Sequence, residues 1–176
     1  RVRLKRIFQE DNKSNVILVD ECHNLIDRAR AMYSAEIFKS DVIKINKILK
    51  GKVPALYKAS NLINKELIEI RRELEEKSLR ITYHNIQYKE LIKAMKLFIK
   101  EADEYLVKGK GTEGYDEVMD FYFKCRSFVS INELYSDKYT TIIEKLKNDL
   151  KVKIFCIDPS DNIKEIISSS YATILF

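Results

Sequence analysis

Apolar residues recur at intervals of three and four through the middle of the chain, which predicts long amphipathic helices. One helix is predicted to begin at Pro54, and another ends near Lys108. Their apolar positions follow a coiled-coil-like seam, with Ile63, Leu67, Ile70 and Leu74 in the first helix and Leu91, Met95, Phe98, Ala102 and Tyr105 in the second. Joined by a bend at residues 80–85, these helices should pack antiparallel as a hairpin.

Shorter helices are predicted on either side of this hairpin. Apolar residues follow helical spacing from Leu25 to Ile37. Ser40-Asp41 is placed to cap a further helix that ends at Gly51, and another helix begins near Tyr115. The chain is therefore predicted to be mainly helical between its two ends.

Apolar runs rich in β-branched residues predict strands near both ends of the chain. The predicted strands are residues 16–20, 139–143, 152–157 and 172–176, with a short helix as the alternative for 139–143. The second and third should form a hairpin, and the first is predicted to be buried. The simplest geometry brings 16–20, 152–157 and 172–176 into one sheet. The fold class is then α+β, with a helical insertion projecting from a small sheet.

Composition narrows the functional classes. The 176 residues carry a net charge of +5, which permits nucleic-acid binding without establishing it. Three widely spaced cysteines, with no C-x-x-C pair, argue against a zinc knuckle or a disulfide scaffold and fit a reducing cytoplasm. No apolar run approaches the roughly 20 residues that cross a bilayer, and no signal peptide is visible. We therefore expect a cytoplasmic protein.

Asp20-Glu21-Cys22-His23 directly follows the first predicted strand. Open α/β sheets bind ligands at the carboxyl ends of their strands, where this acid pair would lie. In nucleoside triphosphate hydrolysis one acid helps to hold Mg²⁺, and the next orients or deprotonates the attacking water. The pair therefore indicates a nucleotide site, and the alternative is a plain helix start or a solvated loop.

Three segments together resemble the XPD/DinG family of ATP-dependent DNA helicases, particularly its bacterial members. They are the acid box with Asn24–Arg30 after it, the segment Lys153–Ser160, and the terminal Ala172–Phe176. Cys22 departs from the alanine usual in that family. The resemblance implies a RecA-like first motor domain interrupted by a helical Arch domain. It predicts motor-domain pieces at 1–24 and 137–176, with the Arch-like insertion at 25–136.

The same resemblance implies functions for the box residues. Asp20 would hold Mg²⁺ through water on the ATP side, Glu21 would be the general base, and His23 would couple the nucleotide site to the nucleic-acid site. The partner would be single-stranded or forked DNA, in DNA repair near the bacterial nucleoid. Relatives carry a 4Fe-4S cluster on cysteines that precede the acid box, in a region that this sequence does not include.

The phosphate-binding loop G-x-x-x-x-G-K-[ST] is absent from the sequence. The nearest match is Gly109-Lys110-Gly111-Thr112, which lacks the upstream glycine and separates its lysine from its threonine. We therefore expect this chain alone to be inactive toward ATP. Because it opens on Arg1 and stops within an apolar run, we expect a fragment of a larger enzyme.

Lys44, Lys47 and Lys50 fall three residues apart, on one side of a predicted helix. Lysines in such a row can neutralise phosphates and bind DNA without sequence preference. The alternative is a solubilising face opposite buried residues. The rival interpretation of the whole chain is a non-enzymatic helical interaction module, whose paired seams would bind a partner helix.

Overall fold

The computed structural model describes residues 15–108 and 113–176. In chain order the elements are strand β1 (Val16–Val19), a 3₁₀ helix (Cys22–Asn24), helix α1 (Leu25–Met32), strand β2 (Ala35–Phe38), helices α2 (Lys39–Leu49) and α3 (Pro54–Glu76), strand β3 (Ile81–His84), helices α4 (Lys89–Lys108) and α5 (Tyr115–Glu133), strands β4 (Tyr139–Lys145) and β5 (Leu150–Cys156), helix α6 (Ser160–Ser168) and strand β6 (Ala172–Leu175). This mixture of helices and small sheets confirms the predicted α+β class. The P-loop-like segment at 109–112 lies outside the described residues.

The chain divides into two compact units. The first contains the described residues through Tyr33 together with Cys156–Phe176, and the second is the continuous segment Ser34–Phe155. These boundaries differ from the predicted ones at 24/25 and 136/137. The hairpin of β4 and β5 belongs to the second unit almost entirely, because its strands pair with β2 and β3 there.

Strands β1 and β6 form the two-stranded sheet of the first unit. They run parallel, with Val16 beside Ala172 and Val19 beside Leu175. The prediction that the first and last strands share a sheet is confirmed. The prediction that residues 152–157 join them is wrong, because β5 instead lies between β2 and β4 in the other sheet.

The prediction of a buried first strand is also wrong. Val16 and Leu18 are 53% and 64% exposed, whereas the alternate residues Ile17 and Val19 are half-buried. The half-buried pair faces side chains from α1 and α6. Because successive strand residues point to opposite faces, the other apolar face of β1 is left open to solvent.

The second unit holds a four-stranded sheet in the order β2-β5-β4-β3. β2 pairs antiparallel with β5, and β3 with β4. The predicted hairpin of β4 and β5 is confirmed, and Leu146 N donates to Asp149 O across its turn at 3.0 Å. Asp149 also accepts hydrogen bonds from Ser40 N (2.9 Å) and Ser40 Oγ (2.5 Å). The start of α2 is thus capped by a distant acid, not by Ser40 as predicted.

Two of these strands contradict local predictions. Ile37, assigned to a helix, is fully buried in β2, and the predicted bend at 80–85 contains β3. Each strand has only four residues. Over four residues the apolar pattern of a helix is hard to distinguish from that of a strand. Whether such a segment forms a strand therefore depends on the neighbouring strand with which it pairs.

The core of the second unit lies along the predicted helical seams. Ile63, Leu67, Ile70 and Leu74 on α3 are buried, as are Leu91, Met95, Phe98 and Ala102 on α4. Helix α3 packs on α4, and α4 packs on α5. The rings of Phe98 and Phe121 meet edge to face with centroids 5.0 Å apart. Eight of the nine predicted seam residues are therefore buried within the unit, and Tyr105 is half-buried.

Helix α3 ends in a Schellman motif, in which Leu79 N donates to Leu74 O and Ser78 N donates to Glu75 O. Ser78 has φ of +52°, a conformation that costs a non-glycine residue roughly 1–2 kcal/mol.

We expect Ser78→Gly to raise the free energy of unfolding by about 0.5–1 kcal/mol, because glycine adopts this conformation without strain. The gain is smaller than the strain itself, since glycine also has more conformational entropy in the unfolded chain. Urea unfolding followed by circular dichroism measures the change. Ser78→Ala keeps the strain and is the control, so equal stabilities of the two variants would contradict the prediction.

Candidate active site at the carboxyl end of strand β1

The acid box occupies the turn that leaves β1. Asp20 follows the last residue of β1, and Glu21 precedes the 3₁₀ helix. Cys22 N donates to Phe176 O at 3.1 Å, and Phe176 N donates to Val19 O at 3.1 Å. The parallel strands β1 and β6 therefore end at the same edge, and their backbones hold the box in place there.

Glu21 adopts a left-handed backbone conformation, with φ of 56° and ψ of 46°. This conformation costs a non-glycine residue roughly 1–2 kcal/mol. Such residues cluster at functional sites, where the surrounding structure holds them in place. Here the turn is closed by Asn24 N, which donates to Glu21 O at 2.9 Å. Both carboxylates of this turn, on Asp20 and Glu21, are exposed.

His23 links the second acid to the start of α1. Its Nδ1 lies 3.2 Å from Glu21 Oε2, and its Nε2 lies 3.0 Å from Asn24 Nδ2. A neutral imidazole with its proton on Nδ1 satisfies both contacts, donating to Glu21 and accepting from Asn24. Both partners of the Glu21–His23 pair are exposed, so the pair contributes little stability. Its effect is to orient the carboxylate.

Asp20 is exposed, and its carboxylate has no hydrogen bond or ion pair with any residue that the structure describes. Its oxygens are the hard donors that Mg²⁺ prefers, and Mg²⁺ commonly takes one or two carboxylates together with substrate phosphates. Within 15–108 and 113–176, no group of three or more His, Cys, Asp or Glu side chains could hold a metal ion by itself.

An apolar cavity of about 280 Å³ lies beside the box, inside the first unit. Its walls come from the half-buried face of β1 and from α1 and α6, and they include Ile17, Val19, Leu25, Ala29, Ile163 and Ile166. Asp20 and Glu21 stand among its lining residues. Arg28 and Tyr33 also line the cavity. Sequence patterns could not reveal it, because its residues come from segments more than 130 positions apart.

Lys44, Lys47 and Lys50 are exposed, the first two on α2 and the third at its C-cap. None of them forms an ion pair with a described residue. Lys44, however, lines a depression that also contains the acids Asp41, Glu117 and Asp120. Lys124 lines the same depression and pairs with Asp41 at 2.8 Å, so Lys44 borders acids as well as another lysine.

A second basic surface was missed by the sequence patterns. Arg80, Lys145 and Lys147 surround an open bowl at the end of α3. Glu75, on the same wall, contacts Lys145 at 2.8 Å and Arg71 at 3.0 Å. Hydrogen bonds from these two cations lower the pKa of the Glu75 carboxyl to about 2. The acid is thus ionised and paired at neutral pH, and the bowl keeps a net positive charge.

No family model matches the chain, and no curated protein matches it. None of the helices in the described part of the chain is both long and apolar enough to cross a bilayer. None of the three cysteines, all of which lie in the described part of the chain, is in a disulfide; Cys125 and Cys156 are buried and Cys22 is half-buried.

Proposed function

We propose that this chain is part of an ATP-dependent DNA helicase of the DinG/XPD type. In this proposal the first unit is a piece of the first motor domain, and the second unit is a helical insertion that contacts single-stranded DNA. The observation that carries the proposal is the position of Asp20 and Glu21 at the shared carboxyl edge of two parallel strands. Ligand sites of open α/β sheets lie at this edge.

The chemistry of the box supports nucleotide hydrolysis. Asp20, an exposed carboxylate without a described partner, would hold Mg²⁺, which would neutralise charge on the triphosphate. Glu21 would accept a proton from the attacking water. His23 contacts one oxygen of the Glu21 carboxylate and leaves the other oxygen without a described partner. Since the sequence contains no phosphate-binding loop, that part of the site would come from the rest of a longer protein.

The bare face of the small sheet supports a larger motor domain. Val16 and Leu18 on β1 and Ile174 on β6 are all more than half exposed. Parallel sheets occur almost only with both faces covered, because crossover helices pack on each side. Among the described residues of the first unit, α1 and α6 cover one face. A helicase motor domain would supply the missing layer.

Chain order supports an insertion. The second unit is one continuous segment, whereas the first unit is assembled from two segments that flank it. The rival interpretation, a helical module with seams open to a partner helix, is not favoured by a specific observation. The predicted seam residues on α3 are buried within the second unit.

The DNA contact can be tested on this chain as it stands. We expect Lys44→Glu/Lys47→Glu/Lys50→Glu to weaken binding of a fluorescent oligothymidine at least tenfold near 0.1 M salt. The logarithm of the DNA-binding constant falls linearly with the logarithm of the salt concentration, because each phosphate contact releases counterions from the DNA. Losing three phosphate contacts should therefore reduce the magnitude of that slope by about 2. Fluorescence anisotropy at several salt concentrations measures both quantities.

The matched control is Lys65→Glu/Lys77→Glu/Lys100→Glu, which changes the net charge equally. These three lysines are also exposed, and none forms an ion pair with a described residue. If both triple variants lose the same affinity, only net charge matters and the lysine row is not the contact. Wild-type affinity in the first variant would likewise remove the row from the DNA-binding surface.

A further inference from the structure

Strand β3 is an edge strand of the four-stranded sheet. It pairs with β4 on one side, and no strand in the described part of the chain pairs with its other side. Lys145 N donates to Arg80 O at 2.8 Å, so the backbone groups of Arg80 point toward β4. In an antiparallel pair the backbone N–H and C=O groups of alternate residues point toward the neighbouring strand. The backbone groups of Thr82 and His84 therefore also point toward β4, and those of Ile81 and Tyr83 point outward.

This open edge lacks the usual protection. Proteins guard edge strands with charged residues, proline or bulges, and Ile81–His84 contains neither a charged Lys, Arg, Asp or Glu nor a proline. The two side chains whose backbones point outward are apolar or aromatic and exposed, Ile81 by 39% and Tyr83 by 63%. Leu79 and Ile86, just beyond the strand, are exposed as well. The edge therefore combines unpaired backbone groups with an apolar flank.

We propose that β3 pairs antiparallel with β3 of a second copy of this chain, about a twofold axis that passes beside Thr82. In this register Ile81 lies opposite Tyr83 of the partner subunit, and Tyr83 lies opposite the partner's Ile81. Ile81 and Tyr83 both have backbone N–H and C=O groups that point outward, so each opposed Ile81–Tyr83 pair exchanges two backbone hydrogen bonds. Four hydrogen bonds then join two four-stranded sheets into one sheet of eight strands.

The side chains favour a second copy as the occupant because the register is self-complementary. Ile81 and Tyr83 form an aromatic–β-branched pair, which occurs twice about the axis and is among the favourable cross-strand combinations. Thr82 meets the partner's Thr82 at the centre, and threonine pairs are also favourable. Like charges do not oppose each other, since Arg80 lies opposite the partner's His84. An edge of four residues buries little area, so the dimer is weak and depends on concentration.

Cysteine cross-linking tests this register. Residues opposed in a non-hydrogen-bonded antiparallel pair have Cα atoms about 4.5 Å apart, within the range that a disulfide spans. We expect Thr82→Cys, in a Cys22→Ser background, to form a disulfide-linked dimer under mild oxidation at least tenfold faster than a control cysteine. The two remaining native thiols are buried, and burial raises the pKa of the Cys125 thiol far above its ordinary value, so they contribute little.

Asn85→Cys is the control, because Asn85 is exposed three residues from the axis, which separates it from its counterpart by roughly 20 Å. Equal rates of cross-linking for the two cysteines would overturn the proposed register.

Sedimentation equilibrium gives an independent measurement on the chain with its native cysteines. Tyr83→Lys should weaken self-association at least tenfold, whereas Phe123→Lys, at another exposed aromatic, should leave it unchanged. A wild-type chain that stays monomeric at several hundred micromolar would overturn the proposal, and this outcome does not bear on the helicase function.

Discussion

Glu21→Gln is expected to lower ATP hydrolysis by about 100- to 10,000-fold in the longer protein that the proposed function requires, because a positioned general base contributes about that much to the rate. Glutamine keeps the size of the side chain and can still contact His23, but it cannot accept a proton from water. The Glu21 side chain is well exposed, and its contact with His23 lies at the surface. The fold should therefore be unaffected.

The measurement is steady-state hydrolysis with saturating single-stranded DNA, combined with a separate titration of nucleotide binding. We expect nucleotide affinity to change far less than the rate, because the base acts mainly in the chemical step. Asp27→Asn is the matched control, since Asp27 is an exposed acid of the same unit, paired with Arg30 at 3.1 Å on the surface. Full activity of Glu21→Gln would remove Glu21 from the catalytic assignment, and equal losses in both variants would indicate a general charge effect.

Phe98→Ala is expected to lower the free energy of unfolding of the second unit by about 3–5 kcal/mol. Phe98 is fully buried on α4, and its ring meets that of Phe121 edge to face. Truncation removes this aromatic contact and the apolar transfer energy, and it leaves a cavity between α4 and α5 that the packed neighbours cannot fill completely. Among the predicted residues of the two seams, Phe98 alone is both fully buried and in contact with another aromatic ring in the described structure.

Urea unfolding followed by far-UV circular dichroism measures this loss, since the chain has no tryptophan and most of its helix lies in the second unit. Leu97→Ala, one position earlier on α4, is the control because Leu97 is 38% exposed. It should cost about 1 kcal/mol or less. If Leu97→Ala were as destabilising as Phe98→Ala, α4 would not pack through the face described above.

The long helices could be predicted because their pattern repeats over many turns. Ile63, Leu67, Ile70 and Leu74 recur at helical spacing over three turns, and each repetition reinforces the same face. The acid box could be placed at the end of a strand for a similar reason, since four apolar residues directly precede two acids. The common sheet of β1 and β6 was expected only as the simplest geometry of the predicted strands, because no local pattern encodes which strands pair.

The short strands show where prediction from local pattern stops. Ile37 fits helical spacing after Tyr33 equally well, but hydrogen bonding to β5 places it in a strand. The sequence predicts a bend where β3 lies, because four residues between two long helices are too few to show the alternation of apolar and polar positions that marks a strand. The cap of α2 could not have been found either, since Asp149 lies 109 positions from Ser40. These features depend on partners far away in the chain.

Periodicity and residue type alone were enough to predict the helical seams, the α+β class and the position of the acid box after a strand, because each depends on neighbours within a few turns of chain. The tertiary structure decided which sheet β5 joins, which face of β1 is packed, and that β3 lies at the edge of its sheet among the strands that the structure describes. Burial and strand pairing depend on what packs against a residue, and hydrogen bonds between strands form across long stretches of sequence. The local pattern therefore leaves several partners possible, and only the folded chain selects among them.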